Sequence, residues 1–205
     1  METREKKPET VLGRLWYFIW KDNSLASWIV SLILAFLIVK FIFFPGLSLI
    51  LGSSMPLVVV ESSSMHHPGG FVGNVIGSED SFEVWWGQKS SWYLGEGITK
   101  QEAIIWPLKT GLEIGDIVAV SEPKNLKTGD IIIFEAGEKH PLIHRIVEIK
   151  NIDGKIIYET KGDNNSGQLS SEKDISEDKI IGKALFRIPQ LGWIKLVFVK
   201  IFQVF

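Results

Sequence analysis

Cysteine is absent from all 205 residues, which excludes disulfides, thiolate metal sites and a cysteine nucleophile. The absence leaves the compartment open, because an exported domain can fold without disulfides. Charge of one sign is missing too. The net charge is −2, so no global basic field argues for nucleic acid. No HExxH or comparably tight spacing organises the four histidines, so a zinc site is not indicated. The sequence therefore calls for no metal and no cofactor. No longer repeat stands out, and the two Gly-Asp-Ile units at Gly115 and Gly129 read as two similar strand entries. Tryptophan, by contrast, is plentiful, with eight residues.

A long apolar run is present near the N-terminus. Residues 1–24 are mixed and basic, with Arg4, Lys6, Lys7, Arg14 and Lys21, and Val11 to Trp20 is apolar enough to lie along a membrane surface. Asn23 or Ser24 can cap a helix from Leu25 towards Phe44 that carries only Lys40 as a charge. That length crosses a hydrocarbon core, so residues 25–45 are expected to be a transmembrane anchor ended by Pro45 and Gly46. Lys40 is expected to snorkel from its last turn. No small-x-small cleavage site closely follows, which disfavours a removable leader. Basic residues precede the segment and none lies between Pro45 and Pro68. The positive-inside rule then predicts a cytoplasmic N-terminus with the rest outside, and the protein is expected to be a single-pass protein of the plasma membrane.

Beyond the anchor the texture is β. Short β-branched runs occupy Leu57 to Val60, Ile117 to Val120 and Ile131 to Phe134, the last two entered through Gly-Asp turns. Ile143 to Ile149 alternates moderately, and a turn at Asn151 to Gly154 leads into Ile156 to Thr160. Ile180 to Phe186 is a further strand candidate. This pattern predicts a mainly β domain over residues 46–188. Within it residues 66–106 read as a loop-rich insert holding Trp85, Trp86, Trp92 and Trp106. Those rings either form a satellite core or dip into a membrane interface. Residues 189–205 are an apolar tail, with Trp193, Lys195 and Lys200, too short for a comfortable span and suited to the interface.

Three side chains have the makings of nucleophilic acyl transfer. Ser64 ends the strand-like run in Ser62-Ser63-Ser64-Met65, where a turn can present its hydroxyl. A serine needs a base. His66 and His67 sit too close to it in sequence to be obvious partners, and His140 precedes Pro141 in a turn. His144 lies on a strand-like segment, where it can be held rigidly. Asp163 follows Gly162 at a strand end and can accept from the His144 ring. Taken alone, an ordinary Asp-Asn-Asn turn is the simpler account of Asp163.

The ordered set of motifs resembles the type I signal peptidases, in their archaeal and endoplasmic-reticulum-type branch. The set is Ser62-Ser63-Ser64-Met65 after a single anchor, Lys127 to Ile132, Ile143-His144-Arg145-Ile146-Val147, Lys161-Gly162-Asp163-Asn164-Asn165 and Ile181-Gly182-Lys183-Ala184. The resemblance implies the coiled β-sheet catalytic domain of that family and a membrane-bound serine endopeptidase that cleaves N-terminal signal peptides. It implies Ser64 as nucleophile, His144 as base in place of the bacterial branch's lysine, Asp163 as the acid on His144, and Ser62 as an oxyanion donor. Its implied partners are signal-peptide-bearing preproteins, membrane lipids and the export machinery. Three departures stand out: Ser63 replaces a glycine, Pro68 falls four residues after the serine rather than three, and the aspartate that often follows Gly-Asp-Asn-Asn is missing. The nearest acids for a second acidic role are Glu172 and Asp174. The rival reading is a non-catalytic tethered β-domain that binds partners through its tryptophans. A peptidase of the same fold with a specialised processing role is a third.

Overall fold

The computed structural model describes residues 10–69 and 79–203. Arg4, Lys6 and Lys7 of the basic leader and residues 70–78 of the insert lie outside the described residues. The chain divides into two compact units, residues 1–50 and 51–205.

The first unit is helical. Helix α1 (Val11–Trp20) is capped by Thr10, whose Oγ1 accepts from the Gly13 N–H at 3.1 Å. Helix α2 (Leu25–Ile38) is capped by Ser24, which accepts from the Ser27 N–H at 3.2 Å. The last carbonyls of an α-helix lack partners inside the helix. Here two hydroxyls of α2 supply them: Ser27 Oγ donates to the Phe18 carbonyl, and Ser31 Oγ donates to the Ile19 carbonyl at 3.0 Å. Pro45 does not end the helix. A π-helical turn at Val39–Phe43 carries the chain into α3 (Phe44–Leu51). In that turn the Phe44 N–H reaches back to the Val39 carbonyl, five residues earlier. The wider ladder lets the helix pass a residue that has no N–H to give. The apolar helix therefore runs 27 residues, Leu25–Leu51, and its most apolar 18-residue stretch has mean hydropathy 2.5. At 1.5 Å per residue it spans about 40 Å, long enough to cross a bilayer. Lys40 consequently falls in mid-helix rather than in a last turn, with its ammonium over the Phe36 and Phe41 rings at 5.7 and 5.4 Å.

The second unit is built on one seven-stranded antiparallel sheet: β1 (Leu57–Val59), β2 (Ile117–Ser121), β3 (Ile131–Phe134), β4 (Leu142–Ile152), β5 (Lys155–Lys161), β6 (Ile175–Ser176) and β7 (Ile180–Ile188). The order across the sheet is β1-β2-β7-β3-β4-β5-β6. Bulges at Ala119/Val120, Ile133/Phe134 and Ile146/Glu148 increase its twist and bend. The run Ile131–Phe134 is not alternating because both of its faces are covered. Ile131 and Ile133 pack with Val60, Met65, Leu112, Val118, Val120 and Ala184, while Ile132 and Phe134 pack with Ile146, Tyr158, Ile175 and Ile180. The β4–β5 hairpin turns at Asp153 (φ 51°) and Gly154 (φ 80°), the positive pair of a type I′ turn.

The two Gly-Asp-Ile entries share one design. Asp116 and Asp130 each accept the N–H of the residue three earlier, Glu113 and Lys127, both at 2.9 Å. Each carboxylate then meets a cation of β7: Arg187 at 3.1 Å for Asp116 and Lys183 at 2.7 Å for Asp130. A tryptophan lies over each preceding glycine, Trp193 over Gly115 and Trp106 over Gly129, so neither position has room for a side chain.

The described part of the insert is not loop-rich. It contains α4 (Glu79–Gly95) and the short α5 (Lys100–Ala103), the latter opened by a Thr99/Glu102 capping box. Phe82, Trp85, Trp86 and Tyr93 recur at helical spacing and bury one face of α4 against Ile98, Ala103, Trp106 and Val147. Trp85, Trp86 and Trp106 are 1%, 8% and 8% exposed, so the rings form a satellite core. The chain closes with α6 (Trp193–Gln203), which leaves Trp193, Ile194 and Val197 exposed.

Candidate active site

Ser64 sits in the turn that follows β1, half-buried, with its backbone tied to a second turn after β5. The Asn164 N–H donates to the Ser64 carbonyl at 2.7 Å, and Asn164 Nδ2 donates to the Ser63 carbonyl at 3.1 Å. His144 stands on β4, opposite Ile132 of β3, and is buried. Its Nε2 lies 2.9 Å from Ser64 Oγ. Ser62 Oγ lies 3.1 Å from the same hydroxyl. An open cleft of about 490 Å³ runs past these groups, lined by Leu142, Asn165, Gln168 and Leu169 as well.

The acid that faces His144 is Glu172, not Asp163. Glu172 Oε1 is 2.6 Å from His144 Nδ1, close but out of line for a hydrogen bond. Glu172 is fully buried at the end of a 3₁₀ turn, Ser170–Glu172. The Gly162 N–H donates to its Oε1 at 3.0 Å and the Leu169 N–H to its Oε2 at 2.5 Å. Asp174, the other acid near in sequence, is exposed at a left-handed position (φ 57°). Gly162 is required by close approach. A Cβ there would stand 2.9 Å from His144 Nε2 and 2.7 Å from Asn165 Nδ2.

Asp163 belongs to a separate buried cluster behind the site. It accepts from Arg145 Nε at 2.9 Å, Arg145 Nη2 at 2.7 Å, His67 Nε2 at 2.9 Å and the Tyr93 hydroxyl at 3.4 Å. Strand geometry explains the division. Successive side chains leave a strand on opposite faces, so an acid paired with Arg145 cannot also serve His144. The remaining Arg145 donors go to the carbonyls of Pro107, Gly129 and Leu108 at 2.8, 2.8 and 3.1 Å. Burial alone would raise the Asp163 pKa, but the Arg145 charge and the His67 hydrogen bond outweigh it and hold the carboxyl well below the usual range. Burial pushes the His67 imidazole down, against the pull of Asp163. Burial also lowers the Lys161 ammonium to about 8. That ammonium donates to the Gly162 carbonyl at 3.0 Å and lies over the Trp92 and Tyr93 rings at 5.0 and 4.7 Å.

Sequence reasoning passed over His67, Trp85, Lys89 and Tyr93, which all bear on the Asp163-Asn164 turn. The signal was the helical spacing of the aromatics in α4. His66 sits beside the serine turn against Glu113, 2.7 Å away, and His140 is exposed. The described residues contain no cluster of three or more potential metal ligands.

A hydroxyl, an imidazole and a carboxylate in series beside an open cleft form the constellation of nucleophilic acyl transfer. No family model matches the chain. It is 28% identical over 166 residues to the signal peptidase complex catalytic subunit SEC11 of Lachancea thermotolerans, covering 76% of this chain and 73% of that one. It is 27% identical over 166 residues to the SEC11 subunit of Eremothecium gossypii, covering 77% and 74%. Against the sec11 subunit of Dictyostelium discoideum it is 34% identical over 91 residues, 40% of this chain and 51% of that one. The chain is a homologue of these signal peptidase complex catalytic subunits.

Proposed function

We propose that this protein is a membrane-anchored serine endopeptidase that removes N-terminal signal peptides from preproteins, with Ser64 as nucleophile, His144 as base and Glu172 as the acid behind the base. The observation that carries the assignment is the 2.9 Å contact between Ser64 Oγ and His144 Nε2, with Glu172 2.6 Å from the other ring nitrogen. Ser64 Oγ attacks the scissile carbonyl while His144 Nε2 takes its proton. The Glu172 carboxylate, fixed by two backbone N–H groups, balances the imidazolium that forms. The Ser62 hydroxyl donates to the developing oxyanion. His144 then protonates the leaving amine, the acyl-enzyme remains on Ser64, and a water activated by His144 releases the signal peptide's new carboxyl terminus.

Preproteins are the substrates. Membrane lipids and the export machinery are the partners that the apolar helix and the substrate class imply. The protein sits in the plasma membrane, and the distribution of basic residues supports residues 1–24 as cytoplasmic, the apolar helix Leu25–Leu51 as the membrane span and the peptidase domain after it as extracytoplasmic. The test uses membranes carrying the full chain and a signal-peptide-bearing preprotein. Wild type should cleave and label at Ser64 with a serine-reactive probe, and Ser64→Ala should do neither. Cleavage by Ser64→Ala would sink the assignment. Reporters at Lys6 and Lys124 should report cytoplasm and exterior respectively, and the reverse would overturn the orientation.

A further inference from the structure

The insert helix α4 has more to do than cover the sheet. Trp85, Lys89 and Tyr93 follow one another at steps of four residues, which sets them on one face of the helix. All three donate to the Asp163-Asn164 turn. Trp85 Nε1 reaches the Asp163 carbonyl at 2.9 Å, Lys89 Nζ the Asn164 carbonyl at 2.6 Å, and the Tyr93 hydroxyl the Asp163 carboxylate at 3.4 Å. The same turn holds the nucleophile, through the Asn164 N–H on the Ser64 carbonyl and Asn164 Nδ2 on the Ser63 carbonyl. One peptide unit, between Asp163 and Asn164, thus accepts from Trp85 and donates to Ser64. Hydrogen bonds in such a series polarise one another. From the other side His67, three residues past the nucleophile, stacks on Trp85 with ring centroids 4.3 Å apart and planes 8° apart.

We infer that α4 is a positioning element for the nucleophile turn, with Lys89 as a positioning residue that sets Ser64 Oγ against His144 by holding the Asn164 carbonyl. The inference rests on the Ser64–His144 reading above. Trp85 and Tyr93 are buried core residues as well as donors, so their loss would mix packing with positioning. Lys89 is half-buried and stands outside the aromatic cluster of the helix. A lysine whose only task was solubility would keep its ammonium in water. This one places a charged donor on the backbone carbonyl of Asn164, a residue one hydrogen bond away from the nucleophile.

The discriminating experiment compares Lys89→Met, Lys89→Arg and Lys100→Met in the full-length protein, with Ser64→Ala in parallel. Lys100 is a lysine of the same insert whose partner is Glu83 at the surface, 2.6 Å away. Loss of a charge-assisted hydrogen bond in Lys89→Met should lower kcat about tenfold or more. KM should stay within about twofold, because the substrate cleft is untouched. The melting temperature should fall by no more than roughly 3–6 °C, the loss of one such hydrogen bond. Lys89→Arg should restore most of kcat, and Lys100→Met should match wild type. Wild-type kcat in Lys89→Met, a loss that arginine does not restore, or a loss matched by a large fall in melting temperature would each overturn the inference. Cleavage by Ser64→Ala would instead remove the nucleophile reading and this inference with it. An inactive Ser64→Ala beside a fully active Lys89→Met defeats the positioning role alone.

Discussion

Asp163→Asn and Glu172→Gln separate two acidic roles that lie nine residues apart in the chain. Asp163 is fully buried and faces a guanidinium that is fully buried too. Asparagine keeps the shape and some hydrogen bonds but removes the charge, so Arg145 stays in the interior without its anion. Removing one partner of a buried pair costs ~3–5 kcal/mol. In a domain of this size 1 kcal/mol moves the melting temperature by roughly 2–4 °C, so Asp163→Asn should lower it by roughly 6–20 °C. Turnover measured well below the new midpoint should survive in large part. Glu172→Gln should behave in the opposite way. It removes the charge beside His144 Nδ1, and the loss of an orienting carboxylate costs on the order of 10⁴ in kcat. Its two backbone donors keep one oxygen to bind, so its melting temperature should fall less than that of Asp163→Asn. The assay is thermal unfolding by circular dichroism, paired with preprotein cleavage by the same purified samples. Asp163→Asn melting as wild type with turnover abolished would refute the reasoning, as would Glu172→Gln cleaving at the wild-type rate.

Ser62→Ala should lower kcat by on the order of a hundredfold, as expected for one oxyanion donor, and an unchanged kcat would remove that role. Gly162→Ala should inactivate the protein while leaving it folded, because the added methyl meets the His144 ring and the Asn165 amide; activity near wild type would show that the ring can give way. Acidification should cost stability in two stages. His67 is held below its ordinary value by burial, so below about pH 6.5 the unfolded chain gains a proton that the folded one resists, and stability falls. Asp163 is held below the carboxylate range by Arg145 and His67 despite its burial, so its contribution is complete above about pH 4 and is lost as the pH falls through the folded value. A melting temperature that stays level from pH 7 to pH 4 would contradict the His67 assignment, and one that stays level as the pH falls below about 4 would contradict the Asp163 assignment.

Much of this protein is written in local pattern. The apolar stretch after Ser24 and the cap itself mark the span, and short β-branched runs behind Gly-Asp turns mark β2 and β3. These signals are legible because a cap, a strand face and a turn depend on residues a few positions apart. The serine in a turn after a strand and the histidine on β4 were legible for the same reason. Other features depend on neighbours that sequence spacing does not reveal. Pro45 reads as a stop, yet a π turn upstream re-pairs the backbone and the helix goes on to Leu51. The aromatics of the insert carry a helical period, hidden among glycines and paired residues that suggest loops. The choice between Asp163 and Glu172 is decided by three-dimensional placement. Asp163 follows the strand beside β4, and the side chain it meets there is Arg145, which points away from His144. Glu172 comes back to His144 through a 3₁₀ turn anchored on Gly162 and Leu169. Which carboxylate faces His144 is therefore a property of strand alternation and of where the buried Arg145 needs its anion, and both exist only once the sheet has formed.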